Sequence, residues 1–388
     1  MLLGVLAFAM MPSTVLAQNP YTPQNDAQVI EHLPKALSLN RDRIASIRQR
    51  LAADPTNSDL ASAAALGYIR MGNEEGDPRF YGYARSAIES WWDQELPPES
   101  VLRIRAKLKE KDHKYQQAIA DLLTQLDRDQ SDLQAWVELI NLYRVIGDYD
   151  AGRQSSQRLA KFEDLNAILV ATAPLKAVTG QAKEAYKALA DRLQTADQKS
   201  PELAPWINAT LGDIAASLGE FESADKHYRK SLELNSGSIH VKRTYANFLL
   251  DQQRPAPVLQ LLSDHENDNG CLLLMAIAAH RMGESTSAQK FKSKLAVRFE
   301  EIRLRGSQPH GRFESRYELE LNENPQRALE VALENWQLQK ENRDARAVLE
   351  SALAAKSAAA AMQTIEFIKA SGNEDVALAQ LIRTLAKE

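Results

Sequence analysis

Small and large residues recur in this chain at the positions that two packed helices require. Between Pro205 and Ser236, a first helical stretch ends at Gly219 and a second one follows it. The residues that let the two helices approach closely, or that fill the space between them, are Gly212, Ala215, Gly219, Ala224, Tyr228 and Ser231. A glycine between two helical stretches is typical of a helix end. The stretch therefore predicts one antiparallel pair of helices, about 34 residues long.

The same pattern recurs before this pair at intervals of about 34 residues. Earlier units begin at Ser58, Glu99, Leu133 and Asn166. The unit from Ser58 needs about seven extra residues in its turn to keep the period. In the unit from Asn166, we expect Pro174 to break the first helix, because proline cannot donate a backbone hydrogen bond.

After residue 239 the pattern becomes weaker. Arg254, Pro255 and Pro257 stand where the glycine turn should be, and we expect Pro255 to open a second helix. Later units are marked by Met282–Gly283, Asn324–Pro325, residues 344–369 and a closing helix over residues 374–387. The whole sequence predicts an all-α solenoid of about eight or nine helix pairs, since such pairs bury their apolar faces only by stacking.

Composition limits the alternatives. An apolar content of 44% excludes a disordered chain, and 6% aromatic residues with 16 glycines argue against a β-sandwich. A net charge of -5 gives no overall basic field, so we expect no nucleic-acid partner. The single cysteine, Cys271, lies in an apolar run and predicts a buried thiol that forms neither an internal disulfide nor a paired zinc site.

The period and the residues together resemble the tetratricopeptide-repeat family. The resemblance is best over residues 99–238 and is generic, in that it names no partner. It implies a right-handed superhelix that binds a protein or peptide in a concave groove, which the first helix of each pair lines. More loosely, the segment Asp77–Ala84 and the apolar N-terminus look like those of exported tetratricopeptide-repeat proteins of Gram-negative bacteria.

The N-terminus resembles an export signal. Residues 2–11 are apolar, and Val15-Leu16-Ala17 provides small residues where a signal peptidase cleaves, although no Lys or Arg precedes Lys35. We therefore expect a signal peptide over residues 1–17, a periplasmic or secreted protein, and no transmembrane segment in the mature chain. The remaining predicted regions are residues 18–57 with a partial repeat, 58–238 with the clearer repeats, and 239–388 with degenerate repeats and a capping helix.

The family resemblance also indicates which residues would line the groove. The predicted set is Arg70, Arg103, Lys107, Lys111, Asn141, Arg144, Arg243 and Asn247. Further groove positions fall on Trp206, Asp213, His240, His280 and Arg281. A row of cations in the N-terminal half would attract an acidic segment or the C-terminus of a partner protein. The alternative, that these are ordinary solvated helix faces, stays open.

An aromatic cluster is a second candidate for binding. It consists of Phe80, Tyr81, Tyr83, Trp91 and Trp92. Such residues often anchor a partner, but they could equally fill the gap that an overlong turn leaves between two units.

No arrangement of residues predicts catalysis, a cofactor or a metal. The acidic segment from Asp264 to Gly270 lacks the glycine and glutamate spacing of a calcium loop. We therefore expect a non-catalytic interaction scaffold of the cell envelope. The alternative is a subunit of an envelope enzyme or assembly complex in which groove residues such as His280, Arg281 and His310 take part in catalysis. The oligomeric state is not predicted.

Overall fold

The computed structural model describes residues 35–199, 202–304 and 311–387. The chain divides into two units, Met1–Arg43 and Ile44–Glu388. The described part of the first unit is the start of helix α1, Lys35–Ala53, and the helices that follow α1 belong to the second unit. The predicted signal peptide, residues 1–17, and His310 lie outside the described residues.

Every regular element in the described ranges is helical. The first half contains α2 (Ser58–Glu75), α3 (Arg79–Ala87), the single turn α4 (Glu89–Trp92), α5 (Glu99–Lys111), α6 (Tyr115–Arg128), α7 (Leu133–Ile146), α8 (Tyr149–Arg158), α9 (Leu165–Ala177) and α10 (Ala182–Lys199). The second half contains α11 (Ala204–Leu218), α12 (Phe221–Leu234), α13 (Ile239–Asp251), α14 (Ala256–Leu262), α15 (Asn269–Arg281), α16 (Ser285–Leu304), α17 (Gly311–Glu320), α18 (Pro325–Leu338), α19 (Asn342–Ala354), α20 (Met362–Ser371) and α21 (Val376–Leu385).

These helices pack in sequential pairs. The pairs are α2 with α3, α5 with α6, α7 with α8, α9 with α10, α11 with α12, α13 with α14, α15 with α16, α17 with α18, and α19 with α20. The described residues thus contain nine pairs, with α21 packed on α19 as a closing helix. This confirms the predicted all-α solenoid and its number of repeats.

Local sequence signals set the ends of the helices. Asp132, Asp148 and Asp164 each precede a helix and accept a hydrogen bond from the backbone N–H three residues later. Gly147 and Gly219 follow α7 and α11 with φ angles of +79° and +83°, which glycine adopts without strain. The helix ends of the clearer repeats therefore follow from residues within one unit.

The contact between Gly212 and Tyr228 shows why a pair needs small residues. A Cβ atom on Gly212 would lie 2.8 Å from Cε1 of Tyr228, too close for any other residue type. Tyr228 is buried against this glycine, and its hydroxyl donates to Asp213 at 2.7 Å. The glycine in α11 thus permits the close approach of α12 that the sequence pattern predicts.

The expected break at Pro174 is wrong. Helix α9 runs through this proline and ends three residues later, at Ala177. Pro174 lies in the last turn of α9, so only three helical residues follow it. The helix therefore tolerates the missing N–H and any bend that the proline causes.

The C-terminal helices contact the earlier repeats, so the superhelix closes on itself. The backbone N–H of Lys340 donates to the carbonyl of Val145 at 2.7 Å. The backbone N–H of Ala182 donates to the carboxylate of Glu374 at 2.8 Å. A Cβ atom built on Gly180 would lie 3.2 Å from the carbonyl oxygen of Gly372. The two segments thus meet at backbone distance, although nearly 200 residues separate them along the chain.

Glu341 joins three parts of this closed arrangement. Its carboxylate pairs with Arg144 at 2.9 Å and with Arg312 at 2.8 Å, and it also caps α19. Burial alone would raise the pKa of Glu341, but Arg312 and Arg144 outweigh it and hold the pKa well below the ordinary value of 4.5. The group therefore stabilises the folded chain in its charged form.

Replacement of Glu341 by Gln should destabilise the protein by on the order of 2–3 kcal/mol at pH 7, because it leaves two arginines without their shared carboxylate. Since the folded-state pKa is depressed, this contribution is present above the unfolded pKa and is lost as the pH falls below it. Urea unfolding of both proteins at several pH values measures the difference. Glu233→Gln, which removes an exposed pair with Lys230, is the matched control. Equal losses in the two variants would contradict this role.

Candidate functional site

The closed superhelix surrounds a central cavity of about 2450 Å³. Its lining comes from helices throughout the second unit, from α2 to α21. Pockets for small molecules are usually about 300–1,000 Å³. The cavity is therefore large enough for a segment of polypeptide.

One wall of the cavity is apolar. It is formed mainly by α9 and α11 and by the residue before α11, which together contribute Ala167, Val170, Ala171, Leu203, Trp206 and Ala209. Trp206 keeps 53% of its surface exposed, which is unusual for the largest apolar side chain. An indole held open toward a cavity is the type of residue that anchors binding partners.

The rest of the lining is charged, with both signs present. Eight basic and eight acidic side chains contribute to it. The basic ones are Arg85, Lys111, Lys114, Arg144, Arg243, Arg312, Arg343 and Arg346; the acidic ones are Glu74, Glu110, Asp112, Asp213, Asp251, Asp268, Glu341 and Asp375. The lining is thus mixed in charge, so a charged partner would be attracted at some positions and repelled at others.

Three of the predicted groove cations do not line the cavity. Arg103 pairs with Asp132 at 3.4 Å, and Lys107 pairs with Glu138 at 2.6 Å, so both reach across to the carboxylates of the next repeat. Arg70 is exposed on α2, away from the lining. Among the further groove positions, His280 and Arg281 also lie off the cavity, and Arg281 pairs with Glu320 at 2.7 Å.

The other five predicted groove residues do line the cavity. They are Lys111, Asn141, Arg144, Arg243 and Asn247. Four of them are engaged within the protein. Arg144 donates to Asn141 at 2.9 Å as well as to Glu341, Arg243 pairs with Asp268 at 3.0 Å, and Asn247 accepts a hydrogen bond from Arg316.

Lys111 differs from these residues. In the described part of the protein, no carboxylate lies within ion-pair distance of its ammonium group, which instead stands 5.3 Å from the ring centre of Tyr81. Its side chain reaches solvent, but the surrounding wall of the superhelix lowers its pKa by desolvation. Lys111 is thus available to an incoming anion.

Arg343 also lines the cavity, and no carboxylate of the described residues pairs with it. It is the second residue of α19, where the helix dipole disfavours a positive charge. Sequence reasoning missed this residue, because the degenerate C-terminal repeats give no reliable frame for assigning groove positions.

His240 lines the cavity as well. Desolvation, followed by the charges of Arg243 and Arg343, lowers its pKa to about 4, against the opposing charge of Glu341. The imidazole is therefore neutral at pH 7 and can donate one N–H.

The aromatic cluster divides into buried and accessible members. Trp91 and Trp92 are buried between the first two helix pairs, and Phe80 is buried against Ile44 of α1 and Met71 of α2. Tyr81 lines the cavity and donates from its hydroxyl to Asn73 at 2.8 Å, and Tyr83 is more than half exposed. The three buried members thus belong to the core of the protein, whereas the tyrosines stay accessible.

A buried arginine explains the position of the two tryptophans. Arg105 donates to the carbonyls of Trp91, Trp92 and Gln94 at 3.2, 2.8 and 2.7 Å. Its remaining donors pair with Asp121 at 2.6 and 2.9 Å. Because these carbonyls lie at and just after the C-terminal end of the short helix α4, Arg105 ties the end of the first helix pair to the second.

The other candidate chemistry is limited. In residues 35–199, 202–304 and 311–387, no group of three or more His, Cys, Asp and Glu side chains is placed to hold a metal ion. No helix of the same ranges is both long and apolar enough to cross a membrane. Cys271 is buried, as predicted, and burial raises the pKa of its thiol.

The sequence matches no protein-family model and no curated protein. Several solved structures are similar in fold. Human IFIT1 in a complex with m7Gppp-AAAA aligns with a TM-score of 0.51 and 10% identity over 87% of this chain and 77% of that chain. At such low identity, the likeness shows the fold alone.

Two further structures give shorter alignments. PilW, described as a type IV pilus biogenesis factor, aligns with a TM-score of 0.42 and 17% identity over 52% of this chain and 94% of that chain. A tetratricopeptide repeat protein from Parabacteroides merdae aligns with a TM-score of 0.39 and 15% identity over 65% of this chain and 98% of that chain.

The electrostatics of the cavity predict an unusual histidine titration. In the full-length protein, His240 should titrate with a pKa of about 4, and Arg343→Gln should raise that pKa because it removes a nearby cation. Since the folded pKa lies below the unfolded one, the contribution of His240 to stability is constant above about pH 6.5 and declines as the pH falls toward 4. NMR of protein labelled at histidine Cε1 measures this pKa. Arg70→Gln should leave it unchanged, whereas an ordinary pKa in the native protein would contradict the arrangement.

Proposed function

We propose that this protein, which has the tetratricopeptide-repeat fold, is a non-catalytic scaffold of the bacterial cell envelope that binds an extended segment of a partner protein in its central cavity. Proteins with this fold generally bind other proteins, so the fold implies a protein partner. The observation that carries the proposal is the open indole of Trp206 on the apolar wall of a 2450 Å³ cavity.

The form of the cavity favours a polypeptide over a small metabolite. Small-molecule sites bury nearly all of a ligand in a compact pocket, whereas this lining extends over helices from one end of the unit to the other. An extended segment could place apolar side chains against α9 and α11 and polar ones against the charged lining. Alternate side chains of such a segment point to opposite sides, as the two walls require.

The binding proposal predicts that Trp206 is the main anchor. A photo-crosslinking residue at position 206 should capture a partner in living cells, and a synthetic peptide of the crosslinked segment should then bind the purified protein. Trp206→Ala should weaken that binding on the order of tenfold or more, since a buried tryptophan anchor contributes at least 2 kcal/mol.

Val297 provides the matched control, because 59% of its surface is exposed and it does not line the cavity. A crosslinker at position 297 should not capture the same segment, and Val297→Ala should bind the peptide normally. Equal capture at both positions, or peptide binding that does not depend on Trp206, would contradict the proposal.

The envelope location is supported by the apolar N-terminal run and by the small residues at Val15 and Ala17. We expect the full-length protein with a C-terminal tag, expressed in a Gram-negative host, to leave the cell on osmotic shock. Mass spectrometry of the released protein should find Gln18 at its N-terminus. Retention in the cytosol with residues 1–17 intact would contradict this location.

A further inference from the structure

We infer that the bound segment has a second apolar anchor, which contacts Phe221 and Val376 where the C-terminal helix α21 meets the helix pair of α11 and α12. This inference rests on the proposed function, because it concerns a segment that Trp206 already holds. It adds the spacing of the two apolar residues by which the partner is recognised, and it links binding to the closure of the superhelix.

Phe221 and Val376 are apolar side chains that the fold leaves open. Phe221 is the first residue of α12 and keeps 42% of its surface exposed. Val376 is the first residue of α21 and keeps 38% exposed. Both line the central cavity, as Trp206 does. Apolar area of this kind on the lining is available to a bound segment.

The two residues come together across the closure. A Cβ atom built on Gly219 would lie 3.5 Å from Cγ2 of Val376, and Phe221 follows two residues after this glycine. The ring centre of Phe221 lies 6.4 Å from that of Phe248, which is buried and lines the same cavity. Phe221, Phe248 and Val376 thus form one apolar surface, called the seam surface below.

Helix α11 sets the distance between Trp206 and the seam surface. Trp206 is the third residue of α11, and Gly219 directly follows its last residue. At a rise of about 1.5 Å per residue, the helix covers about 20 Å between these two positions. An extended chain rises by about 3.3 Å per residue, so about six residues of the segment span the same distance. Side chains six residues apart point to the same side of an extended chain, so both can face α11.

The lining between the two anchors leaves room for such a chain. The cavity-lining residues of α11 there include Ala209, Thr210 and Ser217, whose side chains are small. Asp213 lies about halfway, and its Oδ1 accepts a hydrogen bond from the hydroxyl of Tyr228 at 2.7 Å. Within the described ranges, no cation lies at ion-pair distance from this carboxylate. Its Oδ2 can therefore accept a backbone N–H of the segment.

The seam surface is complete only in the closed superhelix. Phe221 and Phe248 belong to neighbouring helix pairs, whereas Val376 belongs to α21 at the other end of the array. Opening would carry Val376 away from the two rings. A segment that uses both anchors therefore binds the closed form more tightly, and by linkage it stabilises the closure.

Peptides with leucines in a Gly-Ser background test the spacing without a known partner. Protein labelled with 5-fluorotryptophan gives five fluorine resonances, and the one that Trp206→Phe removes reports on the first anchor. A peptide with two leucines six residues apart should shift this resonance at about tenfold lower concentration than a peptide with one leucine, because it buries one more leucine. Two leucines three residues apart should give no such gain.

Variants of the seam surface should remove the gain. With Phe221→Ala or Val376→Ala, the six-residue peptide should bind about as weakly as the single-leucine peptide, whose own binding should not change. Val297→Ala is the control, because Val297 is exposed and lies off the cavity lining. Equal affinity of the two peptides for the unaltered protein, a preference for the three-residue spacing, or a gain that survives both variants would overturn the inference.

Hydrogen exchange tests the link to closure. The backbone N–H of Lys340 bonds the carbonyl of Val145 across the closure. The six-residue peptide, at ten times its dissociation constant, should slow the exchange of this N–H about tenfold. The single-leucine peptide, at ten times its own dissociation constant, should have little effect. Equal protection by the two peptides, or none by either, would overturn the link.

Failure of the second anchor differs from failure of the proposed function. If the peptides show no preference for the six-residue spacing while a crosslinker at position 206 still captures a partner segment, the second anchor alone is refuted. If the peptides do not reach Trp206 and the crosslinker captures no segment, both proposals are refuted.

Discussion

One carboxylate joins two distant arginines where the C-terminal helices of this superhelix meet the earlier repeats. Glu341 lies between Arg144 of α7 and Arg312 of α17 and caps the helix that follows it. Removing a carboxylate from water is costly, and one partner rarely repays the cost. Here two arginines and a helix N-terminus act on the same group, so the charged form is stable where it stands. The backbone contact of Lys340 with Val145 lies directly beside it.

Closure brings helices from the whole unit, from α2 to α21, to the lining of one cavity. An open array would leave α5 and α19 in separate repeats, whereas in the closed form Lys111 and Arg343 line the same cavity. The apolar residues of α9 and α11, Trp206 among them, line this cavity together with the charged residues. The two chemical sides of the cavity therefore depend on the meeting of distant repeats, and the proposed partner segment follows from those two sides.

The sequence predicts the helix pairs well, because each pair is determined within about 34 residues. Gly219 ends its helix through contacts local to one unit. The closure could not be predicted in this way, since the packing of Tyr149 on Phe367 depends on small rotations summed over the intervening helix pairs. The site was predictable only in part, for the same reason. The repeat frame assigns Trp206 to the inner face correctly, but Arg343 lies in a repeat whose pattern has degenerated.

Distance measurement across the closure tests this account most directly. Lys183 and Lys369 are both exposed and each lies three residues from the glycine contact between Gly180 and Gly372. Spin labels at these two positions, with the buried Cys271 left unlabelled, should give one short and narrow distance distribution in solution. A long and broad distribution, as an open ribbon of repeats would give, would contradict the closed cavity and every inference that depends on it.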